Sequence, residues 1–169
     1  MPLTATGAFS LPLANLKTLL ANCAAFQTWT GTADAAAAAA RIDLFAEQTA
    51  SLTLPGAVVT WGAQNSYSSS KAFGGEGGTY ERTGTADIYF TSDLDTTYAE
   101  YASTLDNLML AFCNDIGEIM DDMDALAGRD TYLDVRGWDK VAGPMRSGEE
   151  DTSKMVQMVV RVMWWGMSV

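Results

Sequence analysis

The sequence predicts an α+β domain, in which a mostly antiparallel sheet of four or five strands packs against one long amphipathic helix and two shorter N-terminal helices. Three observations predict it: a helical apolar period from about Asp95 to Leu126, helical patterns near the N-terminus, and later segments that alternate apolar and polar residues. With 169 residues, 48% of them hydrophobic and 18% charged, the chain fits one domain spanning residues 1–169.

The N-terminal region predicts the two shorter helices. The first runs from Leu11 to Ala24 with Ser10 as its N-cap, and its stripe of buried residues is Leu13, Leu16, Leu20 and Cys23. A turn through Phe26 and Trp29 follows. Thr32 then caps the second helix. The run of alanines behind it favours a helix, because alanine has the highest helix propensity of all residues.

Five segments have the composition or alternation of β-strands. They are Ile42–Phe45, Ala57–Gly62, Arg82–Thr91, Tyr132–Trp138 and Lys154–Trp165. The third segment alternates clearly between two faces, which predicts a strand with one face toward the core.

Two connections between these segments carry candidate contact residues. Residues 63–79 are rich in serine and glycine, which predicts a mobile loop whose anchors on a neighbouring molecule are Tyr67, Lys71 and Phe73. Residues 139–153 predict a hairpin with an acidic tip, and Arg146 within it is a further candidate for a partner contact.

The helix predicted from Asp95 to Leu126 has one apolar and one anionic side. Its apolar positions recur every three or four residues and lie within about 120° of one another on a helical wheel. These positions are Tyr98, Tyr101, Leu105, Leu108, Met109, Phe112, Ile116, Ile119, Met120, Met123 and Leu126. The anionic side includes Asp115, Glu118, Asp121 and Asp122, and we expect it to face solvent or a channel.

The last predicted strand has two apolar faces. One face, which we pair with the long helix, consists of Val156, Met158, Val160, Val162 and Trp164. The other contains the candidate interface residues Val159, Arg161, Met163 and Trp165. A central strand buried on both sides and a subunit interface both explain this second face.

The charge distribution argues against a surface that grips DNA. The net charge is −11, and residues 93–134 hold eleven acids and one base, while the rest of the chain is almost neutral. DNA binding requires clustered lysine and arginine to displace counterions, whereas an acidic surface lets a duplex pass without specific binding.

The sequence also lacks the usual components of catalytic and metal sites. There is no histidine, so a Ser-His-Asp or Cys-His arrangement is excluded, and the two cysteines, Cys23 and Cys113, fit buried apolar positions. Glu118 with Asp121 or Asp122 could hold a divalent cation, although a solvated acidic face explains the same residues. We expect no cofactor, no metal, no enzyme activity and no membrane association, and a chain made in the cytoplasm.

Several short motifs resemble proteins at the neck and tail of long-tailed bacteriophages. The run Phe26-Gln27-Thr28-Trp29-Thr30-Gly31, followed by alanines, is similar to the opening of such proteins. The later order also resembles the tail terminator family: a strand, a long amphipathic helix, then Gly143-Pro144-Met145-Arg146, an acidic hairpin and a final strand ending in Trp164-Trp165-Gly166.

This resemblance implies a structural virion protein at the junction between tail and neck. Such proteins form a ring, commonly a homohexamer, that caps the tail tube, binds the head-completion or neck protein, and lets DNA pass through its lumen. The long loop at 63–79 departs from the family. A head-closure or connector protein is the neighbouring alternative, and a small-molecule-binding module or an unusual carboxylate enzyme is the alternative from another class.

Overall fold

The structure, a computed structural model, describes residues 10–45, 52–62, 68–71, 80–98, 104–126, 133–147 and 155–168, and it confirms the α+β class. The elements in chain order are α1 (Leu11–Asn22), α2 (Ala24–Thr30), α3 (Ala35–Ala39), β1 (Ile42–Leu44), β2 (Gly56–Trp61), β3 (Ser68–Lys71), β4 (Tyr80–Asp93), α4 (Leu94–Thr97), α5 (Leu105–Leu126), β5 (Leu133–Ser147) and β6 (Met155–Ser168).

The sheet is mostly antiparallel, as predicted, and has six strands. Its order is β1-β2-β4-β6-β5, and β3 pairs with β4 outside this path. The only parallel pair in the described sheet is β1 with β2. The long strands β4 and β6 run side by side from Tyr80 opposite Ser168 to Asp93 opposite Met155, so they form the centre of the sheet.

One face of this sheet meets the helices. α1 contacts β1 and β2, α5 contacts β5, and α2 contacts both α1 and α5. The predicted inner face of β6 is confirmed, since all five of its side chains are buried in the shared core: Val156, Met158, Val160, Val162 and Trp164. Among the described helices, none is both long and apolar enough to cross a membrane.

The prediction of one uninterrupted helix from Asp95 to Leu126 is wrong. The described segments are a short α4 and a 22-residue α5, separated by residues 98–104. Tyr98 and Thr104 are not helical, and residues 99–103 lie outside the described residues. α5 begins after Thr104, whose hydroxyl accepts a hydrogen bond from the Asn107 amide at 3.3 Å. Tyr98 still joins the same core as α5, which explains why the apolar period continues across the break.

The predicted burial along α5 holds in its central and C-terminal parts. Phe112, Ile116, Ile119, Met120 and Met123 are buried. By contrast Leu105 is 43% exposed, and Leu108, Met109 and Leu126 are only partly buried against the core. Leu108, near the middle of the predicted apolar stripe, is therefore less buried than its position there indicates, because α5 extends beyond the surface that covers it.

The N-terminal region has three helices rather than two. Cys23 adopts an extended conformation with ψ of 122°, which ends α1 and makes it the N-cap of α2. Phe26 and Trp29 thus belong to a helix and not to a turn. The cap of α3 is Asp34 instead of Thr32, and the Asp34 carboxylate accepts a hydrogen bond from the Ala37 amide at 2.8 Å.

Two predicted connections contain strands. Residues 68–71, within the predicted loop 63–79, form β3 and pair with β4, so this part is ordered by the chain's own sheet. Residues 139–147, within the predicted hairpin, continue β5. The acidic tip at Glu149, Glu150 and Asp151 lies outside the described residues, as do Tyr67 and Phe73.

Candidate functional site

The edge of the sheet formed by β5 carries large exposed apolar side chains. Because β5 is the last strand in the sheet order, one of its sides has no strand partner in the described sheet. Trp138 is 36% exposed, Val141 46% and Met145 48%, and Met163 on the neighbouring β6 is 38% exposed. The register places Trp138 opposite Val162, on the helix face of the sheet, whereas Met145 and Met163 lie on the other face. We call these four residues, which expose apolar area on both faces of this edge, the edge surface.

Irregular pairing shapes this edge. The register between β5 and β6 shifts between Val135 and Gly137 and twice more between Lys140 and Met145. A Cβ added at Gly143, where φ is +91°, would lie 2.6 Å from the Gln157 carbonyl oxygen, so this bulge requires glycine. Bulges and an exposed lysine, here Lys140, are features that protect edge strands from indiscriminate pairing.

The sheet face opposite the helices contains an ion pair. Arg161 donates from Nε to Oδ1 of Asp87 at 2.7 Å and from its terminal amino group to Oδ2 at 2.9 Å. The side chains are 18% and 3% exposed. The hydrogen bond to Asp87 raises the pKa of the Arg161 guanidinium.

The predicted interface residues divide into three groups. Val159 is 5% exposed and Arg161 is paired inside the chain, so neither offers an unsatisfied contact on the surface of a single chain. Met163 is exposed and Trp165 partly exposed, and both remain interface candidates. Lys71 and Arg146 lie in β3 and β5, and only their backbone positions are described.

The acidic side of α5 is not uniformly solvated, which corrects the sequence prediction. Oδ2 of Asp122 accepts a hydrogen bond from the Ala25 amide at 3.1 Å, and so caps the first turn of α2 from another helix. Since Cys23, the N-cap of α2, gives no side-chain capping bond, Asp122 takes that role. Asp121 and Glu118 are exposed, as predicted.

A second carboxylate of α5, that of Asp115, ends a series of hydrogen bonds between buried side chains. Asp115 Oδ2 accepts from the Tyr98 hydroxyl at 2.7 Å, and that hydroxyl accepts from the Trp29 indole N–H at 2.8 Å. Tyr98 is 2% exposed and Trp29 is 7% exposed. Burial, followed by the hydrogen bond to Asp115, raises the pKa of Tyr98 well above its usual range, so the phenol remains a donor.

These residues border a surface pocket of about 290 Å³ between α2, α4 and α5. Its lining consists of Ala25, Thr28, Trp29, Thr97, Tyr98, Asp115 and Glu118. Asp115 and Glu118 lie one helical turn apart and give this pocket a negative wall. The sequence prediction missed it, because Trp29 was placed in a turn and Tyr98 in the apolar stripe of the long helix. Their polar atoms were the available signal, since a buried indole or phenol requires a hydrogen-bond partner.

Neither cysteine has the environment of a nucleophile. Both are free thiols; burial raises the pKa of the Cys23 thiol to about 12, with a smaller contribution from Asp122. Burial also raises the pKa of Cys113. Reactive cysteines have a lowered pKa, so neither thiol fits that role. Within the described ranges, no group of three or more histidine, cysteine, aspartate or glutamate residues is arranged to hold a metal ion.

The described structure therefore offers two candidate sites, the edge surface on β5–β6 and the pocket beside α5. The first suits contact with a macromolecule, and the second suits a small charged group. No protein-family model matches this chain, and no curated protein matches it.

Proposed function

We propose that this chain is a structural subunit that assembles with copies of itself. The observation that carries this proposal is the edge surface: a 15-residue strand at the end of the sheet with Trp138, Val141 and Met145 exposed. Exposed apolar side chains on an edge strand favour association, because burial removes them from water, and one side of β5 has no strand partner within the described sheet.

The sequence resemblance supports a more specific role as a phage tail terminator. In that role a ring of subunits caps the tail tube protein and presents another surface to the head-completion or neck protein. A ring forms when two different surfaces of one chain meet with a rotation that closes. The edge surface would be one of the two, which leaves the other to the opposite side of the subunit.

The acidic residues fit this role only in part. Glu118 and Asp121 are exposed and remain candidates for the wall of a DNA channel, where negative charge repels phosphate. Asp115 and Asp122 accept hydrogen bonds from Tyr98 and Ala25 within the fold, so their role in any assembly state is structural.

Light scattering of the purified protein tests the proposal. We expect a ring near 109 kDa for six chains of 18.1 kDa each. Met163→Asp should abolish it and leave a folded monomer, because a carboxylate replaces an apolar contact. Leu110→Asp is the matched control, since Leu110 is 62% exposed on α5 and lies outside the edge surface.

The oligomeric state of the wild type and of the variant decides whether the chain assembles through this surface. A monomeric wild-type protein at high concentration, or a Met163→Asp variant that assembles like the wild type, contradicts the proposed assembly. Negative-stain electron microscopy then distinguishes a ring with a central hole from a compact dimer. Binding to isolated tail-tube ends would support a terminator, whereas binding only to the head side would favour the head-closure or connector role.

A further inference from the structure

We propose that the other end of the sheet, formed by β1 and Phe45, is the surface on which the edge surface of a second copy of this chain docks. The inference rests on the proposed self-assembly and names its second contact, in which β5 of one chain pairs with β1 of the next. These two strands are the last and the first in the sheet order, so each has one side without a strand partner in the described sheet. The two contacts therefore lie at opposite ends of one subunit, as head-to-tail association requires.

Phe45, the residue that follows β1, has a conformation and an exposure that a single chain does not explain. Its φ is +57°, in the left-handed region that asparagine, aspartate and glycine adopt more readily than phenylalanine does. Its amide donates to the Val59 carbonyl at 3.2 Å, so β2 holds the backbone in place there. Phe45 is nevertheless 48% exposed, so burial within the chain compensates little of the strain. A contact between chains explains why a large apolar side chain is held outward at this cost.

The directions of the strands suit a pairing of β5 with β1 of a neighbouring chain. β1 is parallel to β2, and each further step in the order β2-β4-β6-β5 is antiparallel. β1 and β5 of one chain therefore run in opposite directions. In a ring whose subunits all keep their helices on the same side of the sheet, β5 meets the next β1 antiparallel. Antiparallel pairs have hydrogen bonds perpendicular to the strands and are slightly more stable than parallel pairs.

The regular part of β5 also matches β1 in length. Between two of its register shifts, β5 pairs without interruption over four residues, from Gly137 to Lys140, and β1 has three residues. Trp138 in this stretch lies on the helix face of the sheet. Leu44 of β1 lies on the same face, because its partner Val59 belongs to the core. The two apolar side chains thus come to one side of the joined sheet, whereas pairing of β5 with a second β5 over its whole length would cross the register shifts of both strands.

Mixing two damaged variants tests this head-to-tail contact by light scattering. Phe45→Asp damages the β1 end and Met163→Asp damages the edge surface, so each variant alone should remain a monomer of 18.1 kDa. In an equal mixture, the intact β1 end of one variant meets the intact edge surface of the other. We expect a dimer near 36 kDa for two chains of 18.1 kDa each, which grows no further because both remaining surfaces are damaged. Leu110→Asp, at an exposed position on α5, should assemble like the wild type.

Phe45→Gly separates the contact from the folding of the chain. Glycine removes the aromatic ring and adopts a φ of +57° without strain, so this variant should keep the circular dichroism spectrum of the wild type. We expect it to lose assembly as Phe45→Asp does, because the ring is missing in both variants.

The outcomes separate this contact from the proposed function. If the Phe45 variants assemble like the wild type while Met163→Asp does not, this inference is overturned, and the proposed assembly stands with a two-fold contact between two β5 strands. Failure of the mixed variants to form the dimer also overturns the inference. A wild-type protein that stays monomeric at high concentration overturns the proposed function itself, and this contact with it.

Discussion

Replacing Phe112 with alanine tests whether α5 and α2 share one core. Phe112 is fully buried on α5, and its ring centroid lies 6.3 Å from that of Trp29 and 6.4 Å from that of Tyr98. The Tyr98 ring meets it edge-on, at an interplanar angle of 86°. The variant therefore removes a side chain that contacts α2 and the residue after α4 at the same time.

The magnitude follows from burial and from these ring contacts. A buried phenylalanine replaced by alanine costs about 3–5 kcal/mol, including the cavity that remains. Two aromatic contacts, each worth about 0.5–1.5 kcal/mol, argue against the lower end of that range, so we expect about 4 kcal/mol for Phe112→Ala. Domains unfold with about 5–15 kcal/mol, so the variant should lose a large share of its stability.

Urea unfolding followed by circular dichroism measures this loss. With a slope of about 2 kcal/mol per M urea, the midpoint should fall by about 2 M. Leu110→Ala is the control on the same helix: its side chain is 62% exposed, and the expected change is within about 0.5 kcal/mol. A change below about 1 kcal/mol for Phe112→Ala would refute the placement of α5 on this core.

Two further predictions concern the contact between α5 and α2. Asp122→Ala should destabilise the protein by about 1 kcal/mol, because the Ala25 amide loses its hydrogen-bond acceptor. The control Asp121→Ala should change the free energy of unfolding by less than about 0.5 kcal/mol. Equal effects of the two variants in urea unfolding would contradict the capping role. Because the pKa of Cys23 rises from 9.0 to about 12 on folding, the unfolded chain loses this proton first, and stability should fall as pH rises from about 9 toward 12. Cys23→Ala should reduce that slope, and an unchanged slope in unfolding at several pH values would contradict the assigned burial.

The period of two made parts of the sheet predictable. Arg82 to Thr91 alternates between two faces, and the five inner residues of β6 recur at every second position, which is the period of a strand face. The structure buries all five, from Val156 to Trp164. The parallel pairing of β1 with β2 and the pairing of β3 with β4 could not be predicted, because they depend on which strands meet and not on local composition.

The long helix shows where periodicity misleads. Tyr98 continues the apolar period of α5 because both contact one core, although Tyr98 follows a separate short helix. A helical wheel detects residues that share one core, but it does not detect where the helix is interrupted. The signal for the true start was Thr104, a preferred N-cap residue whose hydroxyl accepts from Asn107.

The pocket beside α5 lay beyond sequence analysis for a different reason. Its lining comes from segments far apart in the chain, with Trp29 bonded to Tyr98 and Tyr98 bonded to Asp115. The sequence correctly placed Asp115 and Glu118 outside the apolar stripe. Which carboxylates face α2 and which face solvent depends on where α2 packs, and a single helix pattern contains no information on that.

The ion pair of Asp87 with Arg161 decides which part of the sheet is available for assembly. Two hydrogen bonds of 2.7 and 2.9 Å satisfy both charges inside one chain, and Asp87 is already only 3% exposed. Drawing the same pair into a second interface would remove the remaining water from Arg161 and gain no new partner, which costs free energy. Val159 is likewise buried in the single chain. The centre of this sheet face therefore needs no neighbouring chain to bury it. The residues that remain to favour association are Met163 and the exposed residues of β5.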